Sequence, residues 1–165
     1  MNTYNISEHA KWLVPFLDLD KDTIYLVHTT HNSRAAKIQE EGLKIPRCKE
    51  DKYWGSDMPA IFCSVDHEKS LWGISDMDTS VNFHFPISDV NVRPPLLSHE
   101  PEKYGLKREG IPLPKYLEKD SPEVWNMVTC VEFLILKDIP PKYIDKIEPR
   151  KVSLFDLSLN NTQRN

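Results

Sequence analysis

MVTCVEFLIL, Met127 to Leu136, is the strongest strand signal in the chain. β-branched, aromatic and other apolar residues fill it, and such side chains pack well on a pleated surface. One residue breaks the run. Glu132 stands among Val131, Phe133, Leu134, Ile135 and Leu136, and in a strand every second side chain turns to the same face. An edge strand would let Glu132 face water. A cleft would instead have to compensate its burial with a charge, a donor or a ligand. This strand alone leaves both readings open.

Outward from it, TIYLVHT (Thr23 to Thr29), AIFCSV (Ala60 to Val65) and Ser80 to Phe85 read as further strands. Ser7 predicts the cap of a short N-terminal helix that Pro15 ends soon after. A second helix is expected over Arg34 to Glu41, capped by Asn32 or Ser33 and closed by Gly42 in a left-handed position. Leu43 to Pro46 reads as extended chain, Asp66 to Trp72 as a helical turn, and Tyr143 to Ile147 as a short helix after Pro140 and Pro141. Strands outnumber helices, and no regular βαβ units with glycine-rich turns occur, which argues against a Rossmann domain. The expected class is α+β, with two packed, mainly antiparallel β-sheets and flanking helices.

The chain of 165 residues suits one domain, 1–165. With 39% hydrophobic and 28% charged residues, and 13 prolines against 5 glycines, it reads as globular with long irregular connections. Many of the prolines fall between about 86 and 122, where a long functional loop is expected. The tail beyond Asp156 is polar and expected to fray. A net charge of -4 offers no broad basic surface for a polyanion. Cys48, Cys63 and Cys130 have neither disulfide nor zinc spacing. No metal is implied. Without a leader-like start or a membrane-length apolar run, a cytoplasmic protein is expected.

His28 ends an apolar strand and precedes Thr29, Thr30 and His31. A histidine so placed is commonly a satisfied, half-buried residue. Taken alone, Phe62 and Trp72 read as core aromatics, and Ser70 as a helix residue. His31, His67, His84 and His99 have no metal spacing and are expected at the surface.

The stretch IYLVHTTHNSRAAKIQEEGLKI, Ile24 to Ile45, resembles the opening of the ADP-ribosyltransferase superfamily. That opening is a strand ending in His-Gly/Thr-Ser/Thr, a helix, then Gly-Leu. AIFCSVDHEKSLWG, Ala60 to Gly73, resembles the segment in which an aromatic residue begins a strand and a Lys-Ser pair follows. VEFLILKDIPPKYIDKI, Val131 to Ile147, looks like the catalytic strand and following helix of DNA-modifying ADP-ribosyltransferase toxins of toxin-antitoxin pairs. The pieces follow the family's chain order and cover under half of the chain.

The resemblance implies an ADP-ribosyltransferase-like fold and NAD as co-substrate. It assigns catalysis to Glu132, and NAD binding to His28 with Thr29 or Thr30. Phe62 would stack on nicotinamide, Ser70 would hold its carboxamide, and Trp72 would lie near a second aromatic wall. The implied acceptor is a macromolecule, nucleic acid slightly before protein, and the setting a bacterial or phage toxin or defence effector. A single-stranded acceptor would meet Pro112 to Asn126, including Lys115, Tyr116, Lys119 and Trp125, unless Trp125 belongs to the core.

There are departures from the family patterns. Phe62 stands where the eukaryotic-like class has tyrosine. Cys130 occupies the position of the second Glu or Gln of arginine-modifying members. No arginine near Phe62 in sequence matches the one those toxins place by the NAD pocket. Two alternatives are a non-catalytic binding, inhibitor or antitoxin protein on the same fold, and an NAD-dependent RNA 2′-phosphotransferase. Glu132 disfavours the latter. Water as acceptor would make the chain an NAD glycohydrolase.

Overall fold

Apolar positions alternate onto one face of the longest strands, and the polar Thr79, Ser80 and Asn82 within them are buried as well. In the computed structural model, residues 3–45, 59–65, 78–94, 105–120, 125 and 131–149 are described. The strands are β1 (Leu17–Asp18), β2 (Thr23–His31), β3 (Ile61–Cys63), β4 (Asp78–Pro86), β5 (Asn91–Arg93), β6 (Ile111–Pro112), β7 (Glu132–Ile135) and β8 (Ile144–Pro149). The α-helices are α1 (Ala35–Glu41) and α2 (Leu113–Glu118). One sheet runs β1-β2-β4-β8 and the other β3-β7-β5-β6, and the described ladders are antiparallel. This is the expected α+β class.

Ile24, Leu26, Val81, Phe83 and Phe85 of the first sheet share a core with Ile61, Val92, Phe133 and Ile135 of the second. Each such side chain contributes about 1.5–3 kcal/mol by leaving water. The sheets also meet edge to edge. Val27 N–H donates to the Ser64 carbonyl at 2.7 Å, and Ser64 N–H returns a bond to Val27 at 2.9 Å. This bridge carries the register of β2 onto the chain just after β3.

Tertiary partners redirect several local signals. The N-terminal helix is a 3-10 helix, Glu8–Phe16, with Pro15 inside it and no side-chain cap from Ser7. The Ser7 hydroxyl donates instead to the Lys119 carbonyl at 2.7 Å. Asn32 and Ser33 form a 3-10 turn ahead of α1, in which the His31 ring accepts from Ser33 N–H at 3.2 Å. Asn32 itself accepts from the Thr79 hydroxyl.

Gly42 closes α1 with φ 80° and ψ −168°, a positive φ but not the left-handed helical geometry expected. Its neighbour Leu43 exchanges backbone bonds of 2.9 and 2.8 Å with Ile139. A Cβ at Gly42 would lie 2.1 Å from the Ile139 carbonyl oxygen. Gly42→Ala is therefore expected to cost about 2 kcal/mol or more, because backbone strain and steric overlap add. A urea midpoint equal to wild type would contradict this.

The segment expected as a long loop over 86–122 carries β5, β6 and α2 among its described residues, with turns and irregular chain at 105–110. Pro86 ends β4, Pro112 lies on the edge strand β6, and Pro114 falls in the first turn of α2. Proline's missing donor does little harm at these positions. Tyr116 and Trp125 are buried with ring centroids 5.2 Å apart, so these two do not form an exposed platform for a nucleic acid. Their apolar area is better used inside the protein.

The helix expected over Tyr143 to Ile147 is replaced by a 3-10 turn, Pro141–Tyr143, and the edge strand β8. Ile144 and Ile147 have helix-like spacing. A bulge opposite Asn82 and Phe83 instead lets both face the core, with Ile144 across from Phe83 and Ile147 across from Val81. The expected helix at 66–72 and the tail beyond 156 lie outside the described residues.

Candidate functional site

Glu132 begins β7, an interior strand between β3 and β5 rather than a sheet edge. Edge exposure therefore does not explain it. Arg93 of β5 stands directly opposite. The Arg93 side chain is 3% exposed and that of Glu132 16%, and Nε donates to Oε2 at 2.9 Å. Arg93 Nη1 also donates to the Arg108 carbonyl at 2.8 Å. Its guanidinium carbon lies over the Phe62 ring, 5.5 Å from the centroid. Oε1 of Glu132 has no hydrogen-bond partner among the described residues.

Cross-strand register explains this assembly. Phe62 pairs with Leu134, which pairs with Asn91. One further step along the β3–β7 register sets Ser64 opposite Glu132. Since Ser64 also pairs with Val27, and Val27 with Asn82, a single row crosses both sheets. Directly opposed side chains project from one face. That face carries Ser64, Phe62, Glu132 and Arg93. Thr29 follows Val27 on it by alternation, while His28 and Thr30 turn to the other face.

His28 nevertheless reaches β3. Its Nδ1 lies 2.8 Å from the Phe62 carbonyl oxygen. A carbonyl has no proton to give, so Nδ1–H donates and the neutral ring keeps an acceptor at Nε2. Phe62 thus links the expected site residue His28 to Arg93, its carbonyl accepting from the His28 ring and its own ring lying under the guanidinium. Ser70 and Trp72 lie outside the described residues, as do His67 and His99. His31 is exposed, and His84 pairs with Asp145 at the surface.

Burial lowers the His28 pKa from the usual 6.5, with the Arg34 charge adding and the Phe62 bond opposing. As pH falls, the unfolded chain gains this proton first. The resulting stability is fully present above about pH 6.5 and declines as pH drops to the lower folded value. His28→Asn retains a donor near the Nδ1 position but cannot titrate. Its urea midpoint is expected to fall less between pH 7.5 and 5.5 than that of wild type. Equal falls would remove His28 from the acid limb.

Burial also pushes the Cys63 thiol upward, and the charge of Glu132 adds to the effect. Cys63 is thereby an inert core residue rather than a nucleophile. Among the described residues, no group of three His, Cys, Asp or Glu side chains is placed to hold a metal ion. Nor is any helix among them long and apolar enough to cross a membrane.

Arg93 and Ser64 are the site neighbours that sequence reading missed. Arg93 sits in a short strand, Asn91–Arg93, inside the proline-rich stretch. Its only local signal is the alternation Val90, Asn91, Val92, Arg93. Comparison with known proteins found no matching family model, curated protein or solved structure.

Proposed function

We propose that this chain is an NAD-dependent ADP-ribosyltransferase that modifies a macromolecule, nucleic acid before protein, as a bacterial or phage toxin or defence effector. One observation carries the proposal: a carboxylate on an interior strand, held by a buried arginine beside an aromatic ring, keeps one oxygen without a hydrogen-bond partner among the described residues. The order of the family-like pieces along the chain supports it.

NAD supplies a ribose carbon bearing a cationic leaving group, nicotinamide. Glu132 Oε1 would accept a ribose hydroxyl proton in a hydrogen bond and face the positive charge that develops as the glycosidic bond breaks. Thr29, which shares the Glu132 face, would contribute a hydroxyl to the ribose, while His28, on the other face of β2 with Thr30, would hold the Phe62 segment in place through its bond to that carbonyl. Arg93 covers one face of Phe62. Nicotinamide would stack on the other, with Trp72 as a second wall and Ser70 on the carboxamide. An acceptor atom of the macromolecule would then bond to the ribose carbon as nicotinamide departs with the electron pair of the glycosidic bond, and the acceptor's proton would pass to solvent.

A non-catalytic binding protein is the second reading, favoured by the same ion pair, which satisfies Glu132 without a ligand. Incubating the protein with NAD and single-stranded DNA, RNA or a protein mixture separates the two. Released nicotinamide and an ADP-ribose mass adduct are expected. Intact NAD with every acceptor would leave only the binding reading.

A further inference from the structure

We infer that Arg93 is the positioning residue of this site: it sets the orientation of Glu132 for the NAD chemistry proposed above, on which the inference rests. Neutralising a carboxylate needs only a cation nearby. Arg93 is held far more closely than that. Its Nε meets Glu132 at 2.9 Å and its Nη1 the Arg108 carbonyl at 2.8 Å. Two donors of one rigid plane, aimed at two different acceptors, fix that plane in both tilt and rotation. The Phe62 ring beneath the guanidinium bounds its remaining movement.

The turn that supplies the Arg108 carbonyl is itself built against Arg93. Gly110 N–H closes it on the Lys107 carbonyl at 2.9 Å. Gly110 has φ +74°, and a Cβ there would lie 2.2 Å from the Val92 carbonyl oxygen and 2.9 Å from Arg93 Cβ. Only glycine lets this turn approach so near. The turn, the guanidinium and the carboxylate form one continuous support, ending at Oε1 of Glu132. Arg93 touches no reacting atom in this scheme and acts through Glu132.

Arg93→Lys keeps a charge but cannot reproduce the fork. Its kcat for nicotinamide release is expected to fall about 10- to 100-fold, the scale of a misplaced reacting group. KM for NAD should stay within about twofold. In Arg93→Ala, millimolar guanidinium chloride should restore part of kcat, whereas potassium chloride of equal ionic strength should not. A purely structural arginine predicts otherwise: losses in proportion to the folded fraction and no guanidinium rescue. Arg93→Lys with wild-type kcat, or Arg93→Ala losing activity only with its folded fraction, overturns the inference while leaving the proposed function standing. No nicotinamide release from the wild-type protein overturns both.

Discussion

Glu132→Gln is expected to lower nicotinamide release by about 100- to 1000-fold while leaving the fold in place, the loss seen when one aligned charge-stabilising group is removed. Gln keeps the length and planarity of the side chain. Its carbonyl can still accept from Arg93 Nε, which sits 2.9 Å from Oε2 in the native pair. What disappears is the negative charge facing the ribose carbon. Affinity for NAD should change little, because the missing attraction matters most once positive charge has developed. Single-turnover rates, read with thermal unfolding at the same pH, provide the check. A variant that is folded and as fast as wild type would remove Glu132 from the chemistry.

Arg93→Met is expected to destabilise the protein by about 3 kcal/mol, since it leaves Glu132 partly buried without its cation. The neighbouring Arg108 carbonyl loses its 2.8 Å donor as well. The penalty reflects the orphaned groups more than the worth of the pair, which suggests a second variant. Arg93→Met combined with Glu132→Leu removes both charges and should recover most of the stability, even though it sacrifices the proposed activity. Urea unfolding of the wild type, the two single variants and the double variant forms a complete cycle. Additive losses would mean that the two residues do not interact across the strands.

These two side chains also show how far a sequence can be read. Glu132 stands out because six residues from Val131 to Leu136 include one acid among five apolar side chains, and burying such a group demands an explanation. Arg93 does not stand out. It lies 39 residues away from Glu132, in a stretch whose prolines suggest a loop. Pro86, Pro112 and Pro114 occupy a strand end, an edge strand and the first turn of a helix, where a missing donor costs little. The same limit governs Ile144 and Ile147, whose spacing imitates a helix until a bulge in their own strand, opposite Asn82 and Phe83, turns both inward.

Local composition was enough to determine the major strands, the α+β class and the odd acid in an apolar run, since β-branched and aromatic side chains declare their own half-buried surface. Which strands became neighbours was decided only in three dimensions. Backbone pairing matched Arg93 to Glu132 and Val27 to Ser64, carried the His28 ring to the Phe62 carbonyl, and drew Tyr116 and Trp125 into the core. A strand's preference for being a strand comes from its own side chains. Its partner depends on register, closure and burial across distant segments, which no local window contains.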